Sequence, residues 1–195
     1  MAPRWCYLRR GVAWSALLGC CGAALALAVA LDQWPEAAVV LLPALLACCA
    51  AGVAFAFDEH AVTVVAVTPR GGGWRQVSRL AVALLPLAVW GAVVLAGPGD
   101  LPLDRWAWWS VGAATTALVS GVAALASRRE VGTPGSLLAS VVSFAVLAPV
   151  IVTGFLGWGP VYPLADLAPG AWAFWASVGA GGAVMWVAAT RPGPA

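Results

Sequence analysis

The chain has 195 residues, of which 63% are hydrophobic and only 9% are charged. Charged residues make up about 25% of an ordinary soluble domain, so the composition excludes that class and indicates an integral membrane protein. The formal net charge of +2 says little, because in a membrane protein the side on which charges lie matters more than their sum.

Six apolar runs follow one another along the chain, each about long enough to cross the hydrocarbon core of a bilayer as a helix. All six are expected to be helical, because lipid cannot satisfy a free backbone amide or carbonyl. The sequence therefore predicts an all-α membrane protein with one transmembrane domain over residues 1–195. The predicted spans cover residues 12–31, 36–57, 80–96, 106–126, 137–156 and 171–190.

The arginines lie almost entirely in alternate gaps between these runs. One side of the membrane receives Arg4, Arg9, Arg10, Arg70, Arg75, Arg79, Arg128, Arg129 and Arg191. The other side receives only Arg105, together with Asp32, Glu36, Asp100, Asp104 and Asp166. Cytoplasmic loops are enriched in Lys and Arg, so both termini are predicted to lie inside.

Tryptophan is concentrated at the predicted outer ends of the spans, at Trp34, Trp106, Trp108, Trp109, Trp158, Trp172 and Trp175. Indole rings anchor at headgroup depth, so we expect these residues to form an interfacial belt. An aromatic substrate gate built from Trp106, Trp108 and Trp109 is the alternative.

Small residues recur at helical spacing in two of the spans. The fourth span carries Ala113, Ala117 and Gly121, and the sixth carries Ser177, Gly179, Gly181 and Ala183. Such faces let helix backbones approach closely in lipid, either within the monomer or at a dimer seam. Pro43, Pro86 and Pro149 lie inside spans, where each removes a backbone donor and is expected to favour a kink.

The chemistry of catalysis is missing from this sequence. It contains no lysine, hence no phosphate-binding loop ending in Gly-Lys, and its single histidine, His60, falls in a loop. The five cysteines are expected to be buried apolar fillers rather than metal ligands; they are Cys6, Cys20, Cys21, Cys48 and Cys49. We therefore expect no enzyme activity, no cofactor and no metal in this chain, and no nucleic-acid partner.

A small membrane enzyme or channel is one rival interpretation. It would need an outward acidic cluster that binds metal, or a continuous polar stripe through Ser110, Thr115, Thr116 and Ser120. Hydroxyls within a helix usually bond back to a carbonyl of the preceding turn, so we expect these to do the same.

The longest polar interruption, residues 58–79, reads DEHAVTVVAVTPRGGGWRQVSR. Asp58 can cap a short helix whose first turn would hold Glu59, residues 61–67 form an apolar stretch, and Pro69 ends it. Residues 71–73, all glycine, predict a flexible return. One interpretation is a helix in the headgroups, with Arg75 and Arg79 on anionic lipid. Another is a helix that a partner protein grips in a groove, and the apolar stretch also fits a β-strand.

Six spans with both ends inside, and the main inward excursion between the second and third, resemble the membrane subunits of ABC exporters of the second permease type. The run AFAFDE…A…PR…WR…SRL resembles small actinobacterial permeases of that group. In that family this loop is the coupling helix, which docks on a separate ATPase subunit. The resemblance assigns that contact to Asp58, Glu59, His60, Ala61, Val62, Thr63, Val64, Val65, Ala66, Val67, Pro69 and Arg70.

The resemblance implies a permease subunit in the bacterial plasma membrane that couples ATP hydrolysis by its partner to export. The permease would work as a homodimer, or as a heterodimer with a second permease, and ATP and Mg²⁺ would bind in the ATPase subunit. The alternative is a non-transporting membrane scaffold or assembly factor, which needs the same topology but no ATPase.

Overall fold

The computed structural model describes residues 11–58, 72–97, 104–129, 135–156, 162 and 169–191. Regular structure in these residues is entirely helical, without a strand. The helices are α1 (Trp14–Gln33), α2 (Ala38–Ala56, preceded by a 3-10 turn at Pro35–Ala37), α3 (Gly72–Ala96), α4 (Arg105–Arg129), α5 (Gly135–Leu156) and α6 (Pro169–Thr190). All six are long and apolar enough to cross a membrane. The predicted all-α, six-span fold is thus confirmed, and the chain is a multi-pass membrane protein.

The helix bounds agree with the predicted spans within a few residues, except at the start of α3. That helix begins at Gly72, well before the predicted residue 80, so the prediction of a flexible return was wrong for Gly72 and Gly73. The third span is therefore preceded by additional helical turns that carry its arginines.

Helix α2 forms the centre of the bundle. Its span is 67% buried, whereas the other five are between 17% and 44% buried. It packs against α1, α3, α4 and α5, and Leu42, Leu45, Leu46 and Val53 are almost completely enclosed. Because α2 contacts four neighbours, a displacement of α2 would be felt across most of the bundle.

Helices α4 and α6 approach each other closely enough for their backbones to touch. A Cβ at Gly121 would collide with the Gly182 carbonyl oxygen, and one at Gly182 would lie 2.5 Å from the Ala117 oxygen. The predicted contact face is thus correct for Ala117, Gly121 and Gly179, the last of which packs against Ala114. Gly181 has open space around it within the single chain, so only the dimer-seam alternative applies there, and the prediction missed Gly182.

The three proline-containing spans continue as helices through Pro43, Pro86 and Pro149. At Pro86 the ring packs on Gly52 of α2, where an added Cβ would come within 3.1 Å of the proline Cγ. The glycine thus lets α3 approach the central helix despite the bulky ring.

The bundle has two ends, which we name by their composition. The arginine-rich end is where α2, α4 and α6 finish and where α3 and α5 begin. The tryptophan-rich end is where α3 finishes and where α4 and α6 begin. That the arginine-rich end faces the cytoplasm stays a prediction from the positive-inside rule.

Candidate functional site at the arginine-rich end

Most of the predicted ATPase contact lies outside the described residues. This holds for Glu59, His60, Ala61, Val62, Thr63, Val64, Val65, Ala66, Val67, Pro69 and Arg70. Asp58 is described, and so are the helices on both sides of the α2–α3 connection (residues 59–71). The described part of the site therefore consists of the residues that hold the two ends of that connection.

Asp58 is buried at the end of α2, with only 4% of its surface exposed. Its Oδ1 accepts a hydrogen bond of 2.7 Å from the backbone N–H of Gly135, the first residue of α5. The carboxylate thus caps a helix that starts 77 residues later in the chain. Its negative charge interacts favourably with the positive N-terminal end of the helix dipole. We expected Asp58 to cap a helix directly after it; the described contact is instead with the fifth span.

Gly135 has no room for a side chain. An added Cβ would lie 2.5 Å from the Asp58 Cγ and 2.7 Å from its Oδ1, which is closer than non-bonded atoms approach. Even alanine would therefore push the carboxylate away from the helix that it caps. Glycine at this position is a requirement of the Asp58 contact.

Arg79 lies on the other side of the connection and is 2% exposed. Its Nη1 donates a hydrogen bond of 2.5 Å to the Phe57 carbonyl oxygen, at the C-terminus of α2, where a cation is favoured by the helix dipole. The interpretation that placed Arg79 on anionic lipid was wrong, because this side chain is enclosed by the protein. Its hydrogen bond draws the start of α3 to the end of α2.

Two further contacts connect this region to the remaining spans. Gln76 Nε2 donates to Ser127 Oγ over 2.8 Å, which joins α3 to α4. The Phe57 ring packs edge-on against Trp186 of α6, with centroids 6.1 Å apart. We call the set Phe57, Asp58, Gln76, Arg79 and Gly135 the loop-base cluster. It ties both ends of the α2–α3 connection to α4, α5 and α6.

Replacing Asp58 by alanine is expected to lower the free energy of unfolding by about 1–2 kcal/mol, the usual effect of losing a helix cap. Asparagine should retain most of that stability, because its Oδ1 can still accept from Gly135. In the alanine variant, hydrogen–deuterium exchange measured in a nanodisc should become faster in the first turn of α5.

Asp104 offers a matched control for this cap. Its Oδ1 accepts from the Ala107 N–H at 3.0 Å, at the start of α4 and at the opposite end of the bundle. Alanine at Asp104 should accelerate exchange in α4 and leave α5 unchanged. Faster exchange in α5 for both variants would contradict the assignment of a specific cap to Asp58.

An aromatic cluster occupies the tryptophan-rich end. Trp108 stacks on Tyr162 with centroids 5.6 Å apart, Tyr162 contacts Trp175, and Trp90 donates from Nε1 to the Trp108 carbonyl oxygen over 3.1 Å. Trp108 is 0% exposed and Trp175 is 8% exposed. The prediction of an interfacial belt was therefore wrong for these two side chains, which pack inside the bundle. Trp34, Trp106, Trp109 and Trp172 do have exposed rings.

Tyr162 attaches the segment between α5 and α6 to the bundle. Its hydroxyl donates a 2.6 Å hydrogen bond to the Val146 carbonyl oxygen. Burial raises the pKa of Tyr162, because the charged form is poorly solvated there. The phenol therefore stays protonated and remains a hydrogen-bond donor to the Val146 carbonyl oxygen of α5.

A groove of about 420 Å³ lies beside this cluster, between α4 and α6. Its walls are Trp172 and Trp175, and its floor consists of alanines and Gly179. Ser110 also lines it, but its hydroxyl donates to the Ala107 carbonyl oxygen of its own helix at 2.7 Å. Thr115 likewise bonds back to Val111, as expected for hydroxyls within a span. The expectation was wrong for Ser120, whose hydroxyl is buried without a hydrogen-bond partner among the described residues. The described residues that line the groove include no charged side chain.

The described cysteines, Cys20, Cys21, Cys48 and Cys49, are free thiols in α1 and α2. Cys21 and Cys49 are buried in the core, as their interpretation as apolar fillers requires. Within the described ranges, His, Cys, Asp and Glu side chains form no group that could hold a metal ion.

The sequence interpretation missed the roles of Gly135 and Arg79 in this site. Gly135 follows a Thr-Pro pair and looks like an ordinary loop glycine, since its partner Asp58 is distant in the chain. Arg79 looked like other arginines at a membrane interface. The sequence did carry a signal for the contact between α4 and α6. The run of glycines at 179, 181 and 182 indicates a close helix approach, but it does not show which glycine makes the contact.

Comparison of this chain with protein-family models, with curated proteins and with solved structures finds no match.

Proposed function

We propose that this chain is the permease subunit of an ATP-driven exporter, in which a separate ATPase subunit acts on the α2–α3 connection. The observation that carries the proposal is the position of that connection in the bundle. It leaves directly from α2, the most buried span, and it is flanked by two buried charged side chains, Asp58 just before it and Arg79 in the second turn of α3. A force that the ATPase exerts on the connection would therefore be transmitted to the helix bundle.

A force on the connection would be transmitted through the helices that contact α2. This helix packs on α1, α3, α4 and α5, so a small displacement of its end would shift four neighbours. Transporters alternate between two packings of similar free energy. Close glycine contacts between α4 and α6, and prolines inside α2, α3 and α5, are features that permit two such packings.

The partners follow from this role. The ATPase would bind ATP and Mg²⁺ and contact residues 58–67 together with Pro69 and Arg70. The permease would form a homodimer or a heterodimer with a second permease, in the plasma membrane of an actinobacterium, with the arginine-rich end in the cytoplasm. Apolar, charge-poor spans would suit a lipid-like or amphipathic cargo.

The test is affinity purification of the tagged chain from its native membrane in mild detergent, followed by mass spectrometry. We expect a stoichiometric ATPase with a phosphate-binding loop. Replacing residues 61–67 by a Gly-Ser linker should remove it, as should charge reversal at Arg70 or a bulky polar residue at Val64, while membrane insertion stays intact. As a control, Phe155→Ser changes a ring that is 87% exposed on α5 and should leave the ATPase bound.

Two results would contradict the proposal. The first is a six-span protein that is purified without any ATPase, or with an unrelated membrane partner, which would favour the scaffold. The second is ATPase binding that survives the linker replacement, which would place the contact elsewhere on the chain.

A further inference from the structure

We infer that Asp58, Gly135 and Arg79 form a joint that passes movement of the α2–α3 connection to the fifth span. The inference rests on the proposed function, because it names the residues through which the partner's action would reach the bundle. The three are positioning residues.

The first half of the joint is the Asp58 cap. Asp58 is the last described residue before the connection, and its carboxylate holds the first amide of α5. Water cannot readily replace this bond, because Asp58 and Gly135 are both buried, and each would be left without a partner. A displacement of Asp58 therefore either breaks a costly contact or takes the start of α5 with it.

The second half of the joint is the Arg79 bond to Phe57. It joins the residue next to Asp58 to the helix that follows the connection. Hydrogen bonds from a charged donor are stronger than those between neutral groups, and this one is enclosed. The C-terminus of α2 and the second turn of α3 are therefore held together and should move as a unit.

Helix α5 is the span on which such a joint can act. It is only 17% buried and packs mainly on α2, so most of its surface would face lipid and offer little resistance. Gly135 brings its backbone against the Asp58 carboxylate without an intervening side chain. This close fit lets α5 follow a small displacement of the connection.

A reversible lock tests the joint in the full chain, purified with its native ATPase. The double variant Asp58→Cys/Gly135→Cys should form a disulfide with copper phenanthroline, because the Asp58 side chain is the nearest group to a Cβ added at Gly135, so the two new sulfurs would be adjacent. Counting maleimide-reactive thiols after denaturation detects the bond. The oxidised wild type supplies the background from native cysteines. Asp58→Cys/Leu137→Cys is the control pair, since Leu137 is 73% exposed.

Compared with the same double variant after reduction by dithiothreitol, the oxidised lock should lower ATP hydrolysis by about fivefold or more, the range of typical coupling between sites. Failure of the Asp58→Cys/Gly135→Cys variant to form a disulfide overturns the inference. So does a locked complex that hydrolyses ATP at the rate of the reduced double variant, although the proposed function would then stand. A wild-type preparation that lacks an ATPase contradicts the proposed function, and the inference falls with it.

Single variants give a second measurement that needs no disulfide. Arg79→Lys keeps a charged donor for the Phe57 carbonyl oxygen and should retain ATPase binding and most of the hydrolysis rate. Arg79→Ala should retain the bound ATPase but slow its hydrolysis. Equal hydrolysis in the alanine and lysine variants, with the ATPase bound in both, would overturn the joint.

Discussion

Alanine at Gly182 is expected to lower the free energy of unfolding by about 3 kcal/mol, at the upper end of the usual cost of overpacking. The added Cβ would lie 2.5 Å from the Ala117 carbonyl oxygen and closer still to the adjoining backbone atoms of α4. Backbone cannot rotate out of the way as a side chain can, so α4 and α6 would have to separate. Unfolding in mixed micelles with increasing SDS, followed by circular dichroism, measures the change.

Gly181 is the matched control for this prediction. It is adjacent in α6, yet an alanine Cβ there would meet no atom within 4 Å. Gly181→Ala should therefore unfold like the wild type. The reaction of the buried thiols Cys21 and Cys49 with a maleimide offers an independent readout, because global opening exposes both. Equal stability of the two alanine variants would contradict a backbone contact at Gly182.

Alanine at Gly112 is the second substitution with a large expected effect. The Trp90 indole occupies the space where the new Cβ would lie, with its Cε2 at 2.8 Å and its Nε1 closer. Trp90 is 1% exposed and would have to leave its site, which would break its hydrogen bond to the Trp108 carbonyl oxygen. Loss of a buried tryptophan's packing costs up to about 3–5 kcal/mol, so we expect a loss of about 3 kcal/mol in the same SDS titration.

A double-variant cycle separates this steric effect from a general loss of packing. In a Trp90→Phe background the ring is smaller, so alanine at Gly112 should cost less than it does in the wild type; only groups in contact show such coupling. Gly91→Ala is the control, because its Cβ would meet Trp109 Nε1 at 3.4 Å, an ordinary contact. Additive effects of the Trp90 and Gly112 substitutions would contradict the contact.

The tryptophans and the buried side chains of Asp58 and Arg79 show where prediction from sequence ends. Aromatic residues near span ends indicate depth in the membrane, but depth does not say whether a ring faces lipid or protein. Trp106 and Trp108 are two residues apart, yet the first is 70% exposed and the second is enclosed, because the helix turns Trp108 toward Tyr162. The sequence likewise places Asp58 and Arg79 near the ends of spans, where a charged side chain is expected at the membrane surface, but in the fold both are buried inside the bundle.

The sequence by itself determined the class of the protein, its six helical spans and their approximate bounds. These follow from local composition, since an apolar run of about 20 residues has only a helix to satisfy its backbone in lipid. It also determined which faces of α4 carry small residues. The tertiary structure alone decided that α2 is central, that Gly182 rather than Gly181 meets α4, and that Asp58 caps α5. Those outcomes depend on how helices distant in the chain rotate and pack against each other, and no local pattern of residues encodes that rotation.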